Sequence, residues 1–392
     1  MKNLETLIQE LCSNGVEFVK LGEVCVVQRG KRLTKKQLSD SDKFPVFHGG
    51  IQPIGYYSEK NRDANTVMII NVGASAGTIG YSDKEFWSSD GCYCLSHVDS
   101  VVPKYIYYLL ANNQHYFQAK VRHGGIPTLD ALVVKNYEIP LPPIEVQTEI
   151  VRILDKFTLL EAELEAELDC RKRQYEYYRD KLLSFDNVGG QEVEWKKMSE
   201  VGTFIRGNGL QKKDFTEEGV GCIHYGQLYT HYGTSATETI TYCSSELAKK
   251  LRKAAKGDIV IATTSENVED VCKAVAWLGE EEIAVSGDAF IYKHTQNPKY
   301  MAYLFQTASF FNYKKKKATG TKVIRLTGDA MGNYLAPIPS LEDQHRIVSI
   351  LDRFESLTTS LQSGLPAEIA ARRQQYEYYR DKLLTFKRKG AA

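Results

Sequence analysis

No run of 18 apolar residues occurs in this chain of 392 residues, and this excludes a membrane-spanning helix. The eight cysteines include no Cys-x-x-Cys pair, so the usual zinc spacing and a thioredoxin-like redox motif are both missing. An excess of one charge is missing too: 50 Lys and Arg residues face 49 Asp and Glu residues, and the net charge of +1 gives no overall nucleic-acid signal. The segment after Met1 lacks the apolar core of a signal peptide, and we therefore expect a cytoplasmic protein with reduced thiols.

Catalytic motifs are absent as well. The Gly-rich stretch from Gly73 to Gly80 contains neither Gly-x-Gly-x-x-Gly nor Gly-Lys-Ser/Thr, so we interpret it as a turn or a DNA-facing loop. His-Glu-x-x-His does not occur, and residues 73–77, which have the letters Gly-x-Ser-x-Gly, belong to the same stretch that we interpret as a turn or loop. Pro142-Pro143 follows Leu141 and not Asn or Asp, which removes the adenine-methyltransferase signature. We predict no catalytic residue and no metal ligand.

A long internal repeat is present instead. Residues 174–185 return over 375–386 with eleven of twelve residues identical. A helix needs only an apolar stripe to pack, so identity at the other positions suggests one partner bound twice; a recent duplication is the alternative explanation. Exposed tyrosines are suited to such a surface. The predicted partner-binding residues are Tyr175, Tyr177, Tyr178, Arg179, Tyr376, Tyr378, Tyr379 and Arg380.

The repeated parts predict two long helices. Three prolines at 140, 142 and 143 bar a helix before about residue 144, and heptad-spaced apolar residues continue from Ile150 to Phe185. A helix over 145–185 would measure about 60 Å. Gly364 and Pro366 interrupt the second copy, where we expect a kink or a break. Each apolar seam is too narrow for a globular core, so the two helices are predicted to form a coiled-coil spacer.

The segments between the repeated parts predict mixed α/β domains. The apolar pattern predicts short buried strands over 67–70 and 258–261, and helices over 105–110 and 300–305. The predicted fold class is therefore α+β, with two α/β globular parts and helical spacers in a pseudo-twofold internal repeat. The predicted segments are a first globular domain over 1–138, a central spacer helix over 139–187, a second globular domain over 188–336 and a second spacer helix over 337–392.

Positive charge is concentrated at equivalent places in the two halves. No Asp or Glu occurs over 100–129 or 289–328, and Lys run 314–317 lies in the second of these windows. Solvated surface charge is the ordinary interpretation, but the matching locations favour phosphate contacts, and nearby polar loop residues could meet base edges. The DNA-binding candidates of the first half are Arg29, Lys31, Arg32, Lys35, Lys36, Asn71, Ser75, Arg122, His123 and Thr128. Those of the second half are Arg206, Asn208, Lys212, Lys213, Thr263, Ser265, Asn267, Lys314, Lys315, Lys316, Lys317, Thr321, Lys322 and Arg325.

Along its whole length, the chain resembles the specificity subunit of type I restriction–modification systems. The resemblance rests on the Pro-rich stretch 139–143 with Gln147 before a long helix, on its second copy, on variable parts between constant helices, and on the tetrapeptide Glu-Ala-Glu-Leu repeated over 161–168. It implies two target-recognition domains, each reading half of a bipartite site in double-stranded DNA, and two long antiparallel coiled-coil helices that hold them apart.

The resemblance also implies partners. Two modification (methyltransferase) subunits would bind the constant helices, and restriction subunits, which are ATP-dependent translocases and nucleases, would join that core. The chain itself would hold no cofactor, because S-adenosylmethionine, ATP and Mg are expected on the partner subunits. No membrane partner is expected.

Two other functions remain open from the residues alone. A DNA-modifying or DNA-cleaving enzyme with degenerate motifs would methylate or cut DNA without other subunits. A coiled-coil scaffold with no nucleic-acid role would not retain duplex DNA in a sequence-specific manner.

Overall fold

A computed structural model of the protein describes residues 4–97, 100–185, 193–359 and 364–390. Its helices are α1 (Leu4–Leu11), α2 (Leu21–Val24), α3 (Pro103–Asn112), α4 (Gln114–Ala119), α5 (Ala131–Lys135), α6 (Ile144–Ser184), α7 (Met198–Val201), α8 (Tyr225–Thr230), α9 (Ser245–Ala248), α10 (Pro298–Leu304), α11 (Ala308–Lys317), α12 (Gly328–Gly332), α13 (Leu341–Thr359) and α14 (Leu365–Leu384). Single 3-10 turns lie at Lys35–Gln37 and Lys212–Asp214.

The strands of the first half are β1 (Glu17–Lys20), β2 (Cys25–Arg29), β3 (Phe44–Phe47), β4 (Tyr56–Tyr57), β5 (Thr66–Ile70), β6 (Ile79–Ser82), β7 (Trp87–Ser88), β8 (Cys92–His97) and β9 (Glu138–Leu141). Those of the second half are β10 (Glu194–Lys197), β11 (Gly202–Arg206), β12 (Phe215–Thr216), β13 (Val220–Ile223), β14 (Ser235–Ala236), β15 (Thr241–Cys243), β16 (Lys253–Ala254), β17 (Ile259–Ala262), β18 (Thr264–Ser265), β19 (Ala274–Trp277), β20 (Ile283–Val285), β21 (Ala289–His294), β22 (Ile324–Arg325) and β23 (Leu335–Ile338).

The chain forms two compact units. The first comprises Met1–Glu165 and Glu368–Ala392, and the second comprises Ala166–Ala367. Each unit therefore combines one globular α/β part with segments of both repeated helical regions. The four sequence segments divide the chain differently, and their bounds stay predictions. The bound at 187/188 lies outside the described residues.

The first globular part is built on an antiparallel sheet with strand order β2-β8-β5-β6. Alternate side chains of β5 face opposite sides, as strand geometry requires. Val67 and Ile69 join the main core of the unit, whereas Met68 and Ile70 pack with Phe86 under the small sheet β4-β3-β7. All five residues of β5 are buried, which confirms the predicted strand.

The second globular part repeats this plan with additions. Its sheet runs β11-β21-β17-β19-β14, and its counterpart of the small sheet has five strands, β12-β15-β13-β20-β16. Each small sheet contains one parallel strand pair, β3 with β7 and β13 with β20. Strand β17 is buried on both faces in the same way as β5, and α10 corresponds to α3, so the predicted strand and helices are confirmed.

The central spacer is a single helix of 41 residues, α6, as predicted. The second spacer is interrupted: α13 ends at Thr359, Gly364 is a bend with φ of 87°, and α14 begins at Leu365, so the expected break at this place is confirmed. Among the described residues, none of these helices is apolar enough over a sufficient length to cross a bilayer.

The helices pack against each other through the repeated block. In the first unit the Phe157 ring of α6 stacks on Tyr379 of α14, with centroids 5.6 Å apart, while Arg373 forms ion pairs with Glu161 and Glu165. These contacts join increasing residue numbers on α6 to decreasing residue numbers on α14, so the two helices run antiparallel. In the second unit, Tyr178 of α6 stacks in the same way on Phe354 of α13, at 5.7 Å.

A buried glutamine begins each spacer helix. The Gln147 Oε1 accepts the Val102 N–H at 2.9 Å, and its Nε2 donates to the Pro142 carbonyl at 2.8 Å. The Gln344 amide makes the same two kinds of bond, to the Asn297 N–H and to the carbonyl of Pro339, both at 2.9 Å. Both glutamines are fully buried. The repeated Gln therefore ties the Pro-rich strand, the loop before α3 or α10, and the helix together.

A second set of side-chain contacts lies about two turns further along each helix. In the first unit the Tyr108 hydroxyl donates to Asp155 at 2.5 Å, and Lys104 pairs with the same carboxylate at 2.9 Å. In the second unit, Tyr303 and Lys299 bind Asp352 at 2.7 and 2.6 Å. Lys104 and Asp155 lie in the stretches 103–105 (Pro-Lys-Tyr) and 153–155 (Ile-Leu-Asp), which return at 298–300 and 350–352. These contacts give that repetition a structural reason.

Gln147→Ala should lower the free energy of unfolding of the first unit by about 2–4 kcal/mol, because the Pro142 carbonyl would stay buried without its donor. Urea unfolding of the full chain measures it. Gln9→Ala, at an exposed position of α1, is the matched control and should unfold like the wild type. Equal midpoints for the two variants would contradict the role given to the buried amide.

Candidate nucleic-acid interface

Two of the predicted loops and the segment before β8 meet at one end of the β2-β8-β5-β6 sheet. Strand β2 ends at Arg29, β5 ends at Ile70 and β8 begins at Cys92, and these ends are neighbours in the sheet. The loop after β2, residues 30–36, is called the basic loop. Its Lys31 N–H donates to the Ser88 carbonyl at 2.9 Å, which holds the loop against the segment before β8. The basic loop and the Gly-rich turn therefore share one surface.

A short hairpin adds a fourth segment to this surface. Arg122 and Thr128 exchange both backbone hydrogen bonds, at 2.9 and 3.1 Å, and so close a loop of five residues. The Leu129 N–H donates to the Asn71 carbonyl at 2.9 Å and ties the hairpin to the Gly-rich turn. We call residues 122–128 the first hairpin.

The second unit has the same arrangement. Arg206 ends β11 beside the end of β17 and the start of β21. Thr319 and Arg325 exchange backbone hydrogen bonds at 3.0 and 2.8 Å, again around five residues, and the Leu326 N–H donates to the Thr263 carbonyl at 3.3 Å. We call residues 319–325 the second hairpin. Segments far apart in sequence thus converge in both halves.

In both halves a glycine follows the arginine that ends the strand, in the pairs Arg29-Gly30 and Arg206-Gly207. A close backbone approach explains these glycines. A Cβ at Gly30 would lie 2.2 Å from the Ser88 carbonyl oxygen, and one at Gly207 would lie 2.2 Å from that of Ser286. The preceding arginine is fixed by its own bond: Arg29 Nε donates to the Asp90 carbonyl at 2.9 Å, and Arg206 Nε donates to the Gly287 carbonyl at 2.8 Å.

The Lys pairs that follow are carried on 3-10 turns. The Thr34 N–H donates to the Gln37 side chain at 3.0 Å, and the Gln211 N–H donates to Asp214 at 2.8 Å. Each bond closes the turn over the two lysines, Lys35 with Lys36 or Lys212 with Lys213. All four lysines are exposed. The structure therefore presents the same pair of cations at the same place in each half.

Most of the predicted cations lack an acidic partner. Among the described residues, no carboxylate forms an ion pair with Lys31, Arg32, Lys35, Lys36, Lys212, Lys213, Lys315, Lys316, Lys317, Lys322 or Arg325. Arg122 pairs with Asp130 at 2.8 Å, and Arg206 lies 3.7 Å from Asp288. Ser75, His123, Thr128 and Thr321 are exposed near these cations. Unneutralised exposed cations of this kind suit the phosphate backbone of DNA.

Three predicted DNA contacts are corrected by burial. Lys314 is buried, and its Nζ donates to the carbonyls of Glu269 and Val271, both at 2.7 Å, so this cation holds the loop after β18. Burial also lowers the pKa of the Lys314 ammonium group below its ordinary value. Thr263 and Asn71 are buried as well, and the Thr263 hydroxyl donates to the Asp288 carbonyl, so neither side chain reaches a base.

Two further candidates use their side chains within the fold. Asn208 donates to the Lys250 carbonyl at 3.1 Å and accepts the Arg252 N–H at 2.7 Å, which occupies its amide. Asn267 both donates to Asp270 and accepts from its N–H, each at 2.7 Å. Their role is to shape loops beside the interface. Ser265 is half-buried in the same loop.

The sequence did not reveal a pair of equivalent arginines. Arg62 Nη2 donates to the Arg29 carbonyl at 3.1 Å, and Arg252 Nη1 donates to the Arg206 carbonyl at 2.5 Å. Both therefore add a cation to the end of the same strand. They lie 33 and 46 residues beyond their acceptors, so no constant spacing could have indicated them. Lys249 and Lys250 are exposed in the segment that leads to Arg252.

The repeated tyrosine block presents the same pair of rings on both helices. Tyr177 and Tyr378 are the outermost, 59% and 63% exposed, and each meets the next tyrosine edge to face with centroids 5.3 Å apart. Their neighbours Tyr178 and Tyr379 are also exposed on one side while stacking on the opposite helix.

Other members of the block are half-buried and pack inward, and their predicted partner role stays a prediction. Tyr175 and Tyr376 pack against the hydrophobic cores of their units, and burial raises the pKa of both hydroxyls. Arg179 and Arg380 lie over these two rings, 5.6 and 5.5 Å from their centroids. The four side chains hold the block in place and leave the outer tyrosines as its surface.

The described ranges contain no group of three or more His, Cys, Asp or Glu side chains arranged to hold a metal ion. A cleft of about 470 Å³ lies beside the second hairpin, with Val323 on one wall and Tyr229, Ser265 and Asn267 among the other lining residues.

Comparison with known proteins indicates one family for both halves. The type I restriction modification DNA specificity domain matches residues 13–169 and again 191–371. The EcoR124I/EcoR124II type I restriction enzyme specificity subunit of Escherichia coli is 31% identical over 387 residues, covering 95% of this chain and 94% of that protein.

Two solved structures share the fold. The type I restriction–modification S subunit from M. genitalium has a TM-score of 0.58 at 18% identity and covers 94% of this chain and 96% of its own. A chain from work on complex assembly and conformational transition of the type I R-M system has a TM-score of 0.57 at 19% identity, covering 94% and 97%.

Replacing Lys314 and Lys316 separately with Met should separate a structural lysine from a phosphate contact. Lys314→Met should lower the free energy of unfolding by about 2–4 kcal/mol, because the carbonyls of Glu269 and Val271 lose a charged donor. Lys316→Met should change it by less than about 0.5 kcal/mol but reduce the slope of log affinity for duplex DNA against log salt by about one. Thermal unfolding and a salt titration decide, and equal stability losses would refute the assignment.

Proposed function

The chain belongs to the type I restriction modification DNA specificity family, and we propose that its two halves read two unlike half-sequences of one bipartite target in double-stranded DNA. Membership makes the chain the DNA-recognition subunit of a type I restriction–modification complex and not its catalytic component. We assign target recognition to residues 1–138 and 188–336, and spacing to residues 139–187 and 337–392.

One observation carries the proposal of two readers. Each unit brings unneutralised Lys and Arg side chains to the same end of the same sheet, through loops and a hairpin of equivalent geometry. The residues on these loops nevertheless differ between the halves, as Arg122–Thr128 and Thr319–Arg325 illustrate. Equal backbone placement supports equal docking on phosphates, and unequal side chains support the reading of different bases.

The partner surface follows from the tyrosine block. Two identical, exposed ring pairs on two helices support the binding of two modification subunits by the same contacts, with restriction subunits joining the assembly. Large exposed aromatics, here above all the outer rings of Tyr177 and Tyr378, are typical centres of a protein interface. We expect S-adenosylmethionine, ATP and Mg on these partners.

Exchange of residues 16–138 for the matching segment of another family member tests the reading of half-sites. The expected result is a methylated motif in which one half changes and the other half stays, because each sheet end contacts one half-site. Sequencing of methylated sites in cells that carry the exchanged chain measures it. A motif that changes in both halves would reject independent reading.

Tyr177→Ala should leave a complex with one modification subunit, and Tyr177→Ala with Tyr378→Ala should leave none, because each exposed ring serves one partner. Native mass spectrometry counts the bound subunits. Leu159→Ala removes a similarly exposed side chain of the same helix and should keep both. Two subunits bound to the double variant would place the partner surface elsewhere.

A further inference from the structure

The two hairpins share a single exposed feature. Residues 122–128 read Arg-His-Gly-Gly-Ile-Pro-Thr, and residues 319–325 read Thr-Gly-Thr-Lys-Val-Ile-Arg. Because both loops are closed by the same pair of hydrogen bonds, Ile126 and Val323 occupy the same position. It is the one position of the seven that carries a β-branched apolar residue in both hairpins.

Packing does not explain this coincidence. Ile126 is 72% exposed, the highest value among the exposed large hydrophobic side chains of the described residues, and Val323 is 44% exposed. The buried apolar residue of each segment is the leucine that follows the hairpin, Leu129 or Leu326. The tip residues therefore contribute little to either core, although the surrounding polar residues differ completely.

The chemistry around the tips indicates what covers them. Unpaired Lys322 and exposed His123 lie within the hairpins, and Lys315 to Lys317 precede the second one. A cationic surface of this kind selects a polyanion, and the apolar groups that a DNA duplex offers in its major groove are the 5-methyl groups of thymine.

We propose that Ile126 and Val323 are specificity-determining residues, each contacting the 5-methyl group of one thymine in the half-site read by its unit. The inference rests on the proposed function. Insertion between base pairs would need a rigid support behind the side chain, since unstacking costs a few kcal/mol. Gly124 and Gly125 have open space around them, so the first hairpin offers no such support.

The test uses the complete chain assembled with its modification subunits. The two half-sequences come first from sequencing methylated sites, and each thymine is then replaced, one at a time, by deoxyuridine, which lacks the methyl group. The wild-type complex should lose affinity about three- to fivefold at one position in each half-site, the effect of one buried methyl group. Ile126→Ala should bind the unmodified duplex equally weakly and should be insensitive to that replacement in its own half-site only.

Controls separate the possible failures. Ile126→Val should retain the sensitivity, because it keeps the residue type of the second hairpin. Val26→Ala, which removes a 61% exposed side chain from β2, should behave like the wild type. If Ile126→Ala keeps full sensitivity to every thymine replacement, the inference is wrong. It is also wrong if 2-aminopurine beside that thymine reports base unstacking in the wild-type complex that Ile126→Ala abolishes. A wild-type complex that does not distinguish its own site from a scrambled duplex would instead overturn the proposed function.

Discussion

The hydrogen bonds of one buried amide at the start of each spacer helix fix the geometry on which the rest of each unit depends. Gln147 and Gln344 each accept a backbone N–H from the loop before α3 or α10 and donate to a carbonyl of the Pro-rich strand. A buried amide is costly unless its partners are present, so strand, loop and helix must assemble together. The Tyr–Asp hydrogen bonds then fix how each globular part packs on its own helix segment. Recognition loops at the far end of a sheet are useful only when the sheet is fixed in this way.

The candidate nucleic-acid interface differs from these buried contacts, because most of its charged side chains are exposed. In each unit lysines and arginines collect at one sheet end, and most of them have no carboxylate partner among the described residues, which lowers stability through repulsion between like charges. The fold accepts that repulsion because backbone contacts, and not charge pairs, position the loops: Gly30 and Gly207 allow the close approach, and the carbonyls of Arg29 and Arg206 accept bonds from Arg62 and Arg252. The cations remain available to attract an anionic ligand over several ångströms.

Periodic features could be predicted from the sequence, and features that depend on facing side chains could not. The 41-residue helix, the break at Gly364, strands β5 and β17 and the paired cationic loops all follow from spacing and composition. Lys314 looked like its three neighbours, but helix rotation turns it alone into the fold, where two carbonyls capture it. Tyr175 and Tyr376 lie in the same repeated block as the exposed tyrosines, but they pack inward. Their identity in the two copies is explained by packing that also repeats. Arg62 and Arg252 needed the folded loops before their equivalence was visible.

The division of the first unit between residues 1–165 and 368–392 has a consequence for the order of events during synthesis. Its core is closed by Leu384 and Tyr376, which leave the ribosome more than 200 residues after Leu154, their neighbour in the same cluster. At about 5–20 residues per second, the apolar stripe of α6 waits on the order of 10–40 s for that cover. The second unit closes somewhat sooner, because its core cluster joins Leu183 of α6 to Leu351 of α13, which follows 168 residues later. A nascent chain therefore carries an uncovered aromatic seam for most of its translation, and chaperone demand should fall on the half that is made first.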